Sequence, residues 1–466
     1  MTHDAHGWWL AEAGPPPPRP PLAGDVDADV VVVGGGYAGL WTAWHVLAAE
    51  PSARVVVLEA ERCGFGPSGR NGGFVDALWE SLPRLVERHG ERSALALCRA
   101  AADSVRAIGR FCAAEGVDAW FAPVGHLVVS TGPSQDCRWD AAVTACARAG
   151  AGAEMVALDA EAVRARFDSP VVRGGALLPG SATVQPARLA LGLAERAAGR
   201  GARIYEGARV RALRTGGARA PVVAETAAGR VRAGAAVVAV NAAAAAFGPL
   251  RDRFTVASSH IVLTEPVPAV LASAGWSGRE AVSDGRPLLH YLRPTRDDRI
   301  AFGWAGGRMA YGARLRRRVE VDAAVAAEAA RRLERFFPAA AGVRIEHAWG
   351  GPIDVSPDHL PQIGALPGDR AFFAAGFTGN GVGPTHLAGR VLAALALDRR
   401  DELTRLALVD PSPTRVPPEP LRWLGGTAIR AAFRRAEDRE DAGRPVDPMT
   451  RWAAGLPARL GVHVGR

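Results

Sequence analysis

The apolar positions of this chain fall into short runs and longer stripes that predict alternating strands and helices. Val30-Val31-Val32-Val33 is continuous and apolar and ends on Gly34-Gly35-Gly36-Tyr37-Ala38-Gly39, as expected of a strand buried on both faces that turns straight into a helix. Arg54-Val55-Val56-Val57-Leu58-Glu59 repeats the short run. An alanine-rich stretch from 84 to 113, with Leu85, Val105, Ile108 and Phe111 among its apolar positions, predicts one long helix. Gly125 to Ser130 reads as a strand, followed by a helix ending near Gly150, and Pro186 to Gly199 reads as another helix. Ile204, Val210, Val222-Val223, Val231 and Ala236 to Val240 mark short strands. From 254 to 304 the runs Ile261-Val262-Leu263, Leu288 to Leu292 and Ile300-Ala301-Phe302 occur without helices between them, which predicts an antiparallel sheet able to roof a ligand. A stripe of Val321, Val325, Ala329 and Leu333 predicts a helix stopping at Pro338.

The first glycine turn carries chemistry. Gly34, Gly36 and Gly39 fit G-x-G-x-x-G, where the first permits the tight turn, the second lets a pyrophosphate approach the backbone, and the third lets the helix pack on the strand. The positive end of that helix faces the phosphates. Glu59 ends the second strand twenty residues beyond Gly39, placed to accept both hydroxyls of an adenosine ribose. A carboxylate there disfavours a 2'-phosphate and points to FAD or NAD.

Two further segments look ligand-facing. Ser68-Gly69-Arg70-Asn71-Gly72-Gly73 interleaves polar side chains with glycines, and Arg70 can neutralise phosphate. The strand-like Ala371 to Ala375 runs into Gly376-Phe377-Thr378-Gly379-Asn380-Gly381-Val382-Gly383 and a helix from about Pro384 to Leu397. A second helix N-terminus of this kind suits a second electron-rich group, such as the N1-C2-O2 region of a flavin.

Composition narrows the picture. The chain has 466 residues, 48% of them hydrophobic, and no run reaches the ~20 apolar residues of a membrane span. Without a signal-peptide pattern, a soluble cytoplasmic protein is expected. Five cysteines lie in the first third without metal-ligand spacing, so neither a disulfide framework nor a metal site is expected. The net charge is +8, of which +4 falls in residues 411–466 (ten Arg, six Asp and Glu); the basic residues are otherwise spread along the chain with no nucleic-acid motif. Every one of the 56 basic residues is arginine, which excludes Schiff-base and lysine-base chemistry. Residues 1–24 read as a Pro-rich arm extended on the surface. Residues 411–466, opened by prolines at 411, 413, 417, 418 and 420, read as a tail that docks through Trp423, Ile429 and Phe433.

Together, Asp29 to Gly39, Glu59, Ser68 to Gly73, Val238-Ala239-Val240-Asn241, Trp349-Gly350 through Asp358, Pro361 to Gly364, and Gly376 to Gly381 resemble the D-amino-acid oxidase superfamily of FAD enzymes. The likeness spans about residues 25 to 405. It is strongest to the branch holding glycine and sarcosine oxidases and gamma-glutamylputrescine oxidase, the last indicated by the S-G-R-N-G-G loop. It implies an α/β fold, a Rossmann-type FAD-binding domain (25–85, 180–250, 340–410) interleaved with an antiparallel-sheet α+β substrate domain (86–179, 251–339). It also implies an extended flavin. Adenosine would lie at Glu59, Ala60 and Arg62, with the Val210 backbone bordering adenine. Pyrophosphate would lie at Gly34 to Gly39 and Ser68 to Arg70, and the ring between Asn71 to Gly73 and Thr378 to Val382, with Gly376 and Asn241 nearby.

The implied reaction is hydride transfer from the carbon bearing a neutral amine to flavin N5, giving an imine and, with O2 as acceptor, H2O2. Alternatives are a dehydrogenase using another electron acceptor and a non-catalytic flavin-stabilised subunit. Tyr291 and Arg293 share a strand face, and Arg308 follows the next strand. Either arginine could hold an anionic group of a small amine or amino-acid substrate. The chain has no His between 46 and 88 and no Cys beyond 146, so the covalent flavin tethers of some relatives are absent and FAD is expected to be non-covalent. Relatives in the sarcosine oxidase branch place a lysine near flavin N5 to promote reaction with oxygen. Here an arginine or a protonated histidine, His260 first, would have to serve, or oxygen would react slowly.

Overall fold

The computed structural model describes residues 1–3, 6–215, 220–315, 317–368, 370–410 and 415–463. Two large sheets organise the chain. In the first, Val26–Val33 lies between Val55–Leu58 and Arg230–Val238, all parallel, with Arg203–Tyr205 beyond Val55–Leu58. Val30 and Val32 belong to one apolar core and Val31 to another on the opposite face, which is why the valine run is unbroken. The free edge of Arg230–Val238 is shared. Its first half pairs antiparallel with Val222–Glu225, which in turn pairs with Ala212–Arg214. Its last residues pair parallel with Ala371–Ala375. Val210 sits in the loop before this excursion and not on a strand.

The second sheet has nine strands, ordered Thr2–His3, Ile345–Val355, Thr255–Thr264, Ile300–Trp304, His290–Pro294, Ala281–Asp284, His126–Ser130, Gly174–Leu178 and Val156–Leu158. It is antiparallel except where Thr2–His3 joins Ile345–Val355 and where Ala281–Asp284 joins His126–Ser130. A short helix, Pro268–Ser273, interrupts the region read as strands alone. By sheet membership this unit extends to Val355, past the boundary expected at 340. Period-two alternation gives the sheet two different faces. Val262, Leu292, Phe302 and Trp304 pack under the helix Ala323–Phe336. Ile261, Leu263, Ala301 and Trp349 face the other way, toward Trp8 and Trp9.

Three local expectations differ from the structure. The helix expected from 84 to 113 is two helices, Leu82–His89 and Glu91–Ala114, broken where Gly90 takes φ +76°. The N-terminal segment is a surface arm only in part: residues 14–24 run irregular and mostly exposed, but the residues before them do not. It adds a short strand and the helix Trp8–Ala13, with Trp8, Trp9 and Leu10 buried. Two adjacent tryptophans present too much apolar area to leave in water. The tail does dock, but largely through polar contacts. Phe433 is buried on the helix Leu421–Asp441 while Trp423 and Ile429 are only half-buried. Its anchors are Asp441 on Arg286 at 2.6 Å, Asp438 on Arg332 at 3.0 Å, and Glu437 accepting from the Leu288 N–H at 3.1 Å. Residues 411–414, with Pro411 and Pro413, lie outside the described residues.

Candidate functional site

The turn after Val33 requires its glycines. Gly34 has φ +110°, and a Cβ there would lie 2.3 Å from the Ala239 carbonyl oxygen; one on Gly39 would lie 2.0 Å from the Gly34 oxygen. The helix Tyr37–Ala49 therefore starts directly against the strand. Its cap, Gly36, offers no side chain, and the Tyr37 N–H donates to Ser68 Oγ at 2.9 Å. Ser68, Gly69 and Arg70 are thus brought to the positive end of this helix, as the phosphate reading requires. Ala38 is buried beside it, and Tyr37 is structural, its hydroxyl donating to the Pro186 carbonyl at 2.7 Å.

Glu59 lies one strand over. Its two oxygens accept from the Gly35 N–H at 2.7 Å and the Glu61 N–H at 2.8 Å. Burial raises its carboxyl pKa, opposed by those two backbone bonds. Ala60 sits in the same turn, and the Ala208 N–H donates to the Glu59 carbonyl, which brings the Val210 loop alongside. Arg62 is committed to the arm and its neighbour, donating to the Pro16 carbonyl and lying 3.9 Å from Glu206. Arg70, 8% exposed, is paired with Glu320 at 3.2 Å, so it does not present a bare charge to phosphate.

Downstream, Asn71 folds back on its own loop, donating to Pro67 and Ser68 carbonyls and accepting from the Gly73 N–H at 2.7 Å. Gly72 lies beneath Tyr291, and Gly73, at φ +76°, beneath Arg293. The Tyr291 hydroxyl is 2.8 Å from Ser259 Oγ, and burial pushes its pKa up to about 12.

The second glycine turn is organised by Asp354, which the sequence reading passed over within the Trp349–Asp358 stretch. Its buried carboxylate accepts from the Gly376 N–H at 2.6 Å and from Asn241 Nδ2 at 3.0 Å, and its carbonyl accepts from the Thr378 N–H. Burial raises the Asp354 carboxyl to about 7 against those donors. Thr378 takes φ +52°, Gly379 φ +82°, and Gly381 caps the helix Val382–Ala396 without a side chain. Among the described residues, the amide oxygens of Asn241 and Asn380 are buried with no hydrogen-bond partner. The strand Ile345–Val355 spans the two turns: Trp349 Nε1 donates to the Arg70 carbonyl at 2.8 Å, and Ile353 packs at Gly379.

Two glycine-capped helix ends, the Glu59 carboxylate and the Asn241 and Asn380 amide oxygens are the polar features of these turns. The sequence profile described as "FAD dependent oxidoreductase" matches residues 29–395. The chain belongs to this family. The FAD-dependent oxidoreductase is 31% identical over 404 residues to the gamma-glutamylputrescine oxidoreductase of Escherichia coli, covering 85% of this chain and 89% of that one. It is 30% identical over 438 residues to the probable oxidoreductase OrdL of Rhizobium meliloti, covering 92% and 94%. The fold matches glycine oxidase from Geobacillus kaustophilus with TM-score 0.66 at 22% identity, over 83% of this chain and 99% of that one. It matches L-proline dehydrogenase from P. horikoshii with TM-score 0.64 at 20% identity, over 82% and 96%. No helix among the described residues is long and apolar enough to cross a membrane, and no metal-ligating group of side chains occurs among them.

Of the four candidate residues, Tyr291, Arg293 and Arg308 for substrate and His260 for a charge beside the flavin, Tyr291 and Arg293 share the face of Ile261 and Trp349 that is turned to the glycine loops. His260 and Arg308 do not join them. His260 alternates onto the face of Val262, buried with neither ring nitrogen partnered among the described residues, and burial lowers its pKa to about 4. It is neutral at pH 7 and on the wrong side of the sheet. Arg308 is half-exposed and ion-paired with Asp322, which also caps the helix Ala323–Phe336. Arg293 is buried, donating Nε to the Gly72 carbonyl at 2.7 Å and Nη2 to the Val184 carbonyl at 2.5 Å. Its donors therefore support the loop and do not stand ready for a substrate carboxylate.

Proposed function

We propose that the protein oxidises the C–N bond of a small amine or amino acid to an imine, which water then hydrolyses. The observation that carries the reading is the pairing of Glu59 and the Gly34–Gly39 turn at one end with the Asp354-braced Gly376–Val382 turn at the other. FAD, when bound, supplies the two-electron acceptor. Glu59 and the backbone of Ala60, Arg62 and Val210 would hold its adenosine, and the backbone of Gly34 to Gly39 and of Ser68 to Arg70, with the Ser68 hydroxyl, its pyrophosphate. Asn71 to Gly73, Asn241 and Gly376 to Val382 would hold its ring, with the N–H groups ahead of Val382 and the stranded Asn380 and Asn241 oxygens available to its polar edge. The hydroxyl pair of Tyr291 and Ser259 would orient the amine. No base stronger than these is needed if the amine binds neutral, so positioning and fixed charge carry the catalysis. The named activities of the gamma-glutamylputrescine and glycine relatives support the substrate class.

The absence of lysine favours a second reading for the acceptor, in which electrons leave to a carrier and not to O2. Turnover of an amine and amino-acid panel in air, with peroxide and a redox dye measured in parallel, tests both. Stoichiometric peroxide supports the oxidase, and dye reduction without peroxide supports the dehydrogenase. Neither signal from any panel member would count against C–N oxidation.

A further inference from the structure

The structure leaves one buried charge in this region without a counterion. Arg293 is 3% exposed, and among the described residues no carboxylate pairs with it. Its guanidinium is held by two backbone carbonyls, Gly72 and Val184, and lies over the Trp9 ring at 4.9 Å from the centroid. Removing a charge from water without an opposite charge is costly. The chain nonetheless builds a dedicated enclosure for it. Trp9 packs edge-on to Trp349 at 6.1 Å, the Gln185 side chain donates to the Trp9 carbonyl at 2.7 Å, and Glu12 ties the same short helix to Arg188. The other basic residues near the path are compensated or misplaced. Arg70 has Glu320, Arg62 has Glu206, Arg308 has Asp322, and His260 lies neutral on the far face.

We propose that Arg293 is a positioning residue that supplies fixed positive charge to the ring end of the flavin site through the Gly72–Gly73 loop, the place a lysine cannot fill in this chain. The inference rests on the placement of FAD proposed above. A Cβ on Gly73 would lie 2.7 Å from Arg293 Nη2, so the glycines keep the backbone thin between the charge and whatever lies across the loop. Burial lowers the guanidinium to about 9, and it stays cationic at neutral pH. In a site shielded from water, such a charge favours the form of the ligand that carries more negative charge. A flavin that has accepted two electrons is that form. The N-terminal helix then acts as the wall of the charge site, and the conjunction of Trp9 and Arg293 accounts for its burial.

The test is the two-electron midpoint potential of the bound flavin in the holoenzyme, measured by equilibration with a reference dye. Arg293→Met, which keeps bulk and removes charge, is expected to shift the reduction equilibrium at least tenfold toward the oxidised form, about 30 mV for a two-electron couple. Arg293→Lys, which keeps charge but loses the two-carbonyl geometry, is expected to retain most of the wild-type potential. A Met variant with unchanged potential, or a Lys variant that falls as far as Met, would overturn the proposal, the latter by assigning the effect to loop geometry. Ala301 is the cross-strand partner of Arg293, close enough for side chains to meet. Ala301→Asp sets a carboxylate there and should lower the potential with Arg293 intact, which keeps the test open if the Met variant does not fold. An unchanged potential in a folded Ala301→Asp protein would also overturn the charge role. Failure of the FAD placement itself reads out separately, as undiminished FAD affinity in Glu59→Ala.

Discussion

Replacing Glu59 with alanine tests the adenosine end of the site, and the structure sets the size of the effect. The Gly35 and Glu61 N–H groups, at 2.7 and 2.8 Å, occupy one lone pair on each carboxylate oxygen. Each oxygen keeps a second for a ribose hydroxyl. Hydrogen bonds to charged groups contribute about 1.5–3 kcal/mol each, so losing both ribose bonds removes about 3–6 kcal/mol before water and loop relaxation recover part of it. We expect FAD to bind at least tenfold more weakly, about 1.4 kcal/mol or more. The apoprotein should also lose stability, about 1–3 kcal/mol for a backbone donor left unpaired. Glu59→Gln, with one acceptor oxygen in place of two, should fall between. Titration of apoprotein with FAD, followed by flavin fluorescence, gives the dissociation constants. An unchanged constant in the alanine variant would place the nucleotide elsewhere and refute the reasoning.

Further expectations follow from the same geometry. Gly39→Ala drives a Cβ to 2.0 Å from the Gly34 oxygen and should abolish soluble holoenzyme, whereas Gly66→Ala, with nothing within 4 Å, should leave FAD content and melting temperature unchanged; equal behaviour of the two would contradict the close-packing argument. Trp9→Ala should cost about 3–5 kcal/mol in denaturant unfolding, the range for emptying a buried aromatic site, and a cost under 1 kcal/mol would show that the N-terminal helix is dispensable. Asp354, held near 7 by burial, binds its proton more tightly folded than unfolded, so its contribution to apoprotein stability is present at low pH and is lost as pH rises from the ordinary carboxylate range to about 7. Asp354→Asn should flatten that part of the stability profile, and an unaltered slope would remove Asp354 as its source. Truncation after Val409 should lower stability by removing Asp441 from the buried Arg286, whose other carboxylate is Asp284 at 3.4 Å, itself 2.6 Å from His290 Nδ1, while preserving the flavin spectrum, and loss of FAD from a still-folded truncated chain would show that the tail belongs to the site.

Much of the nucleotide half was legible in the sequence because each of its requirements is local. The valine run, the three glycines and the acid at the end of the next strand are constraints a few residues long, and the second glycine turn announced itself the same way. The substrate-facing half was harder because it depends on which face of a sheet a residue occupies and on what long-range partner reaches it. His260 and Ile261 differ by one position and lie on opposite sides. Arg308 read as a free cation until Asp322, fourteen residues on, took it. Arg293 was correctly set beside Tyr291, yet the Trp9 wall that buries it comes from the far end of the chain. Asp354 gave a signal only as one acid in a motif, since its partners Asn241 and Gly376 lie more than a hundred residues before it and twenty-two after.

A bound flavin that takes electrons from a C–N bond must lose its colour when a suitable amine reaches it without oxygen. Anaerobic titration of the yellow protein with a panel of amines and amino acids, watching the flavin absorbance, is the deciding measurement. Full bleaching by at least one amine or amino acid is expected, with the corresponding aldehyde or keto acid and ammonia or a shorter amine recovered after air is admitted. A flavin that dithionite reduces but that no panel member does, or that only an alcohol or hydroxy acid reduces, would contradict it.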